Sequence, residues 1–144
     1  MCAAFLAALS LTGCGSAAEQ EPAWSGPPQP GPDGVVAVDG FATYRQSVDE
    51  DWERSAAMAA AEFLRLDERT AQRTSIVAEA PAEGAGPQTV VVTLDGLPDD
   101  SVRAERWTLT FVPEGETYGL TEAVWTQRCQ PGRGHQGFSA EKCV

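Results

Sequence analysis

The sequence predicts an α+β fold in which one long amphipathic helix packs on a curled antiparallel sheet of about four strands, with a disulfide loop at the C-terminus. Apolar residues follow a helical repeat between positions 48 and 66. Segments rich in β-branched and aromatic residues come after that repeat, and short turn-like links join them. This order is typical of a helix that covers one face of an antiparallel sheet.

The chain begins with an apolar run, Ala3 to Leu9, followed by Leu11-Thr12-Gly13-Cys14. This stretch resembles the lipobox of bacterial lipoproteins. The resemblance implies that residues 1–13 are a signal peptide, and that Cys14 becomes the lipidated first residue of a protein held on the extracytoplasmic face of the cell membrane. The run is shorter than the roughly 20 apolar residues of a membrane span. Signal peptides normally open with basic residues, so we expect the native reading frame to start upstream of Met1.

Residues 14–34 are predicted to be the lipidated cysteine and a flexible tether, because they are rich in Pro and Gly and almost free of aliphatic side chains. Proline-rich chain favours polyproline II at about 3.1 Å per residue, so the tether reaches up to roughly 60 Å. Trp24 stands alone there. We interpret it as an incidental exposed aromatic or one folded back on the domain, ahead of the alternative that it contacts a partner. The globular domain then occupies residues 35–144.

The helix is the best-defined element of the sequence. Ser47 and Glu50 have the spacing of a capping box, and acidic residues at the start suit the helix dipole. Charged residues fill most of the opposite arc. The apolar stripe, with its steps of three and four residues, consists of Val48, Trp52, Ala56, Ala59, Phe63 and Leu66.

The strands are predicted mostly after the helix, with one short strand or lead-in segment before it. In the last strand, Tyr118 and Leu120 share one parity while Ala123 and Trp125 share the other, which predicts a β-bulge near residues 121–122. The predicted strand segments are 35–38, 75–79, 88–95, 102–112 and 117–129.

This order of elements, over roughly residues 35–128, resembles the cystatin-like and NTF2-like group of folds. The resemblance rests on element order and on no individual residues. Folds of this group carry enzymes, inhibitors and binding modules alike, so the resemblance implies an architecture and no activity.

The C-terminal segment contains the only two cysteines that remain once Cys2 is removed and Cys14 is lipidated. In an oxidising compartment such a pair predicts a disulfide between Cys129 and Cys143. The segment matches no zinc-ligand pattern, and we expect no metal. Its basic residues, beside two glycines, suggest a candidate anion-binding loop, although a solvated turn is the simpler interpretation. The residues of this loop are Arg128, Arg133, His135 and Lys142.

The net charge and the absence of known catalytic motifs narrow the range of functions that the sequence allows. The formal net charge is −11, from 21 acidic and 10 basic residues, which argues against a nucleic-acid partner. The sequence contains no nucleophile elbow, phosphate loop or dinucleotide fingerprint, so we expect no cofactor and no enzyme. We expect a binding or accessory module of the cell envelope, with an envelope protein or wall polymer as partner. The alternative is a small hydrolase-like enzyme with a pocket between helix and sheet and His135 as its base.

Overall fold

A computed structural model describes residues 22–79, 81 and 86–144. It confirms the α+β class and the antiparallel sheet, which has five strands and not four, in the order β1-β5-β4-β3-β2. The strands are β1 (Val35–Val36), β2 (Arg73–Glu79), β3 (Gln88–Asp95), β4 (Val102–Glu114) and β5 (Thr117–Cys129), and the α-helices are α1 (Asp39–Arg45) and α2 (Ala56–Leu64). Two 3-10 helices, Asp51–Arg54 and Leu66–Glu68, flank α2.

The prediction of one long helix is wrong, because polar side chains bind the backbone between the two helices. The hydroxyl of Ser47 donates to the carbonyl of Tyr44, so Ser47 closes α1 and does not open a longer helix. The capping box forms instead between Glu50 and Glu53 at the first 3-10 helix. Ser55 is the N-cap of α2, where its hydroxyl accepts a hydrogen bond from the backbone of Met58. Such side-chain bonds offer the backbone an alternative to continuous helix.

The predicted reversal of the inward face in the last strand is confirmed. The pairing of β4 with β5 shifts between Thr110↔Glu122 and Phe111↔Leu120, which leaves Thr121 as the extra residue of a bulge. Leu120 and Ala123 are therefore both buried although their separation is odd. The bulge lets the whole of β5 contribute to the core.

The core lies between α2 and the inner face of the sheet. Ala59, Ala60 and Phe63 of α2 are fully buried, and they belong to one cluster with β-strand residues such as Val92 and Leu109. Small residues on α2 bring the helix backbone close to the sheet, and close packing fills the interface. Side chains therefore fill the space between α2 and the sheet.

The chain packs on the globular unit from Trp24 onwards, ahead of residue 35, where the sequence predicts the domain to begin. The indole of Trp24 lies 5.2 Å from the ring of Phe41 and 5.9 Å from that of Phe63, measured between centroids. Its Nε1 donates to the carbonyl of Phe63 at 2.8 Å. A buried face and a satisfied N–H hold an indole firmly, so Trp24 is folded back on the domain.

Gly34 fixes the other end of this N-terminal segment. Its carbonyl accepts a hydrogen bond from the backbone N–H of Trp125 at 2.8 Å. The residue has φ +82°, and an added Cβ would lie 2.3 Å from the Trp125 carbonyl oxygen. Only glycine fits there. The segment from Trp24 to Gly34 is thus attached to the domain at both ends.

Several predictions from the sequence concern residues outside those described. The signal peptide at 1–13 and the lipidated Cys14 are among them, as is the first part of the tether. Within the described part of the chain, no helix combines the length and apolar character needed to cross a membrane.

We predict that Trp24→Ala lowers the free energy of unfolding by about 3 kcal/mol, because it removes a large aromatic side chain from the cluster with Phe41 and Phe63. Urea unfolding followed by circular dichroism measures the change. Pro22→Ala, at an exposed position of the same segment, is the matched control and should change stability by less than about 0.5 kcal/mol. An unchanged midpoint for Trp24→Ala would mean that the segment is only a tether.

Candidate functional site

A cleft of about 370 Å³ lies beside the N-terminal segment, and we call it the proline cleft. Residues 25–30, with three prolines, form one side. The end of α2 and the turn after it form a second side, and strands β4 and β5 complete it. The side chains that give the cleft its chemistry are Arg65, Glu68, Arg69, Glu105, Trp107 and Trp125.

Arg65 joins the N-terminal segment to the end of α2. Its guanidinium donates to the carbonyl of Trp24 at 3.4 Å and to the carboxylates of Asp67 and Glu68 at 3.0 and 2.8 Å. Its backbone is in the left-handed region, with φ +50° and ψ +53°, which costs a non-glycine residue roughly 1–3 kcal/mol.

A cluster of three side chains, Arg69, Glu105 and Trp107, connects the chain after α2 to strand β4. Arg69 forms an ion pair with Glu105, and its guanidinium lies 5.7 Å from the centroid of the Trp107 ring. The indole Nε1 of Trp107 donates to the same Glu105 carboxylate at 3.3 Å. Mutual contacts hold all three side chains in place before any ligand arrives. The two arginines and two glutamates of the cleft balance in charge.

Trp125 connects the proline cleft to a second cleft of about 490 Å³. Both clefts are lined by Gln29, Pro30 and Trp125, and the second also includes Glu141 and Lys142 of the C-terminal loop. The partly exposed indole of Trp125 therefore has apolar surface beside both depressions. Trp125 belongs to a predicted strand, but no local pattern in the sequence shows that it lines a cleft, because the cleft forms only when the Pro-rich N-terminal segment packs on the domain.

The predicted disulfide is present: Cys129 and Cys143 are bonded, with their Cα atoms 5.4 Å apart. Their sulfurs and a ring nitrogen of His135 lie within 4.8 Å of one another. A metal would need both thiolates, and the bond between the sulfurs occupies them. The disulfide makes the C-terminal loop part of the domain.

The four residues of the candidate anion-binding loop do not share one environment. Arg128 forms an ion pair with Asp95 at 3.0 Å, and its guanidinium lies 5.3 Å from the Phe138 ring centroid. His135 has a backbone carbonyl oxygen within hydrogen-bond distance of each ring nitrogen. Arg133 and Lys142 are exposed, and in the described part of the protein neither forms an ion pair. Arg128 and His135 are therefore already bound to other groups of the domain, whereas Arg133 and Lys142 are exposed.

His135 has a backbone carbonyl oxygen beside each ring nitrogen. Nδ1 is 2.7 Å from the oxygen of Gly137, and Nε2 is 2.9 Å from that of Glu141. A carbonyl oxygen only accepts hydrogen bonds, so both contacts are satisfied only when both ring nitrogens carry protons. The carbonyl of Glu141, followed by that of Gly137, therefore raises the pKa of His135 above 6.5. A general base needs an unprotonated nitrogen, and this arrangement disfavours that state.

Comparisons with protein-family models, with curated proteins and with solved structures gave no match.

We predict that the protein loses stability as pH rises through the raised pKa of His135. The unfolded chain binds this proton with a pKa near 6.5, more weakly than the folded chain does. The stabilisation is therefore complete below the unfolded pKa and disappears as the folded imidazolium loses its proton. Melting temperatures between about pH 5 and pH 9 test this against His135→Gln. The parent should have the higher melting temperature at low pH, and this difference from the variant should disappear at high pH. A difference in melting temperature that stays constant with pH would contradict the prediction.

Proposed function

We propose that this protein is a lipid-anchored binding module on the outer face of the cell membrane, and that the proline cleft holds a segment of an uncharged wall polysaccharide. The observation that carries the proposal is the lining of the cleft. It combines a partly exposed indole with charged groups that are already paired with one another. Such a surface provides apolar contact and hydrogen bonds without excess charge.

The chemistry of a sugar matches this lining. A pyranose ring has apolar C–H faces and an edge of hydroxyl groups. The flat face of Trp125 can stack on the C–H face of the sugar. Arg69 and Glu105 offer hydrogen-bond donors and acceptors to its hydroxyl groups. The lining residues contribute no net charge, and the chain as a whole has a formal charge of −11. This balance disfavours a strongly anionic polymer through long-range repulsion.

The open shape of the cleft supports a polymer over a small molecule. Small ligands are usually enclosed in pockets, whereas the two clefts adjoin along Gln29, Pro30 and Trp125. A chain of sugar units extends across adjoining depressions of this kind. The enzyme alternative draws no comparable support, because its proposed base, His135, has both ring nitrogens against carbonyl oxygens.

The proposed anchor brings the cleft close to the membrane. About ten residues separate Cys14 from Trp24, and extended chain spans at most roughly 3.5 Å per residue, so the reach is about 35 Å. This is shorter than the roughly 60 Å expected for a tether that ends at residue 34. A module held at this distance meets the wall polymer nearest the membrane.

We predict that Trp125→Ala weakens binding to purified cell-wall polysaccharide about tenfold, which corresponds to the loss of one aromatic contact. Binding is measured by co-sedimentation of the full chain with insoluble wall material. Val124→Ala, at the neighbouring position of β5, is the matched control, because Val124 is exposed and lines neither cleft. Equal losses in the two variants would attribute the effect to folding and count against the cleft.

We predict separately that Cys14→Ser removes the protein from the membrane fraction and abolishes its labelling by radioactive palmitate, because the thiol that carries the lipid is gone. Cell fractionation and labelling of the parent and the variant measure both effects. Ser16→Ala, two residues further on, is the control and should leave both unchanged. A parent protein that takes up no palmitate would refute the anchor and leave the polysaccharide proposal to be judged on its own.

A further inference from the structure

Strand β2 forms the edge of the sheet furthest from β1, and among the described residues it pairs only with β3. All seven of its residues, Arg73 to Glu79, are exposed. Ile76 is 41% exposed and Val77 50%, on opposite faces of the strand. The edge thus presents unpaired backbone groups together with apolar side chains.

Edge strands of monomeric proteins usually carry features that prevent pairing with another chain, such as Lys, Pro or a β-bulge. Strand β2 has no Lys, Pro or bulge, and its two charged residues stand at its ends. Its sequence, Arg-Thr-Ser-Ile-Val-Ala-Glu, contains no Lys, Pro or Gly, and its register with β3 is continuous from Arg73 to Glu79. Ile76 and Val77 also favour extended structure.

The sequence of β2 is complementary in charge to itself when two copies run antiparallel. With the two-fold axis at Ile76, Arg73 of one copy lies opposite Glu79 of the other. By symmetry, Glu79 of the first copy lies opposite Arg73 of the second, at the other end of the strand. Both side chains project on the same face as Val77. In the part of the chain that the structure describes, neither Arg73 nor Glu79 forms an ion pair within its own molecule.

We propose that two copies of this protein associate through β2, so that two five-stranded sheets join into one continuous antiparallel sheet. The two-fold axis stands perpendicular to the sheet at Ile76. On the inner face, Ile76 meets Ile76 of the second copy, and Thr74 meets Ala78. On the outer face, Ser75 meets Val77 between the two ion pairs. The contact is isologous, as two-fold dimers require.

Only one register places opposite charges together. A two-fold axis perpendicular to the sheet pairs residues of equal parity, so the neighbouring registers are centred on Ser75 or on Val77. In the first, Arg73 lies opposite Val77; in the second, it lies opposite Pro81. Both leave the charges at the strand ends without a counter-charge, so cross-strand pairing favours the register centred on Ile76.

The test is disulfide cross-linking in whole cells that express the full chain. Ile76→Cys places two thiols on the two-fold axis, where opposite Cα atoms in antiparallel strands lie about 4.5–5.5 Å apart, within disulfide range. Mild oxidation should give a reducible dimer on a gel. Thr74→Cys, on the same face of β2, is the matched control. Its two thiols lie four residues apart along the strands, about 14 Å, and should not bond.

Charge exchange in the Ile76→Cys background tests the register. Arg73→Glu alone, or Glu79→Arg alone, places like charges opposite each other and should lower the cross-linked fraction about fivefold. The double exchange should restore it. These side chains are exposed, so the variants should keep the unfolding midpoint of the parent. Absence of the Ile76→Cys dimer, equal cross-linking through position 74, or insensitivity to the exchanges would overturn the proposal.

Discussion

The packing of Trp24 against the aromatic cluster is the interaction on which the proposed binding surface depends. Its ring faces Phe41 and Phe63, and its N–H binds the Phe63 carbonyl. From that point the chain runs along the domain to Gly34, which is bound to the backbone of Trp125. The residues between these two attachments form one side of the proline cleft. Without Trp24 in place, the cleft would lose that side.

Arg65 links the same interaction to the charged part of the cleft. It contacts the Trp24 carbonyl and, through Asp67 and Glu68, the turn that follows α2. Its left-handed backbone turns the chain at the end of the helix. A glycine would adopt this conformation without strain, but it would give up the guanidinium contacts. Fold and site are therefore stabilised by the same side chain.

The sequence predicted those features whose causes are local. The bulge near Thr121 and the pairing of Cys129 with Cys143 both follow from residue types at short spacing, and both are confirmed. The single long helix was wrong, because the periodicity of apolar residues does not show where Ser47 and Ser55 bind the backbone.

The proline cleft could not be predicted from the sequence, because it depends on contacts between distant parts of the chain. Proline-rich composition indicates extended chain but gives no information about what the chain lies against. The contact between Trp24 and Phe63 spans 39 residues, so no local pattern reveals it. Likewise, the two carbonyls beside His135 belong to the loop's folded shape. They could not be inferred from the presence of one histidine near several basic residues.

An NMR titration of the isotope-labelled full chain with soluble wall oligosaccharides tests the proposed binding surface most directly. The indole N–H signal of Trp125 and the side-chain signals of Arg65 and Arg69 should shift with a common saturation curve, while the indole signal of Trp52 stays in place. Shifts confined to the C-terminal loop around Arg133, or no shifts at saturating oligosaccharide, would contradict a polysaccharide site in the proline cleft.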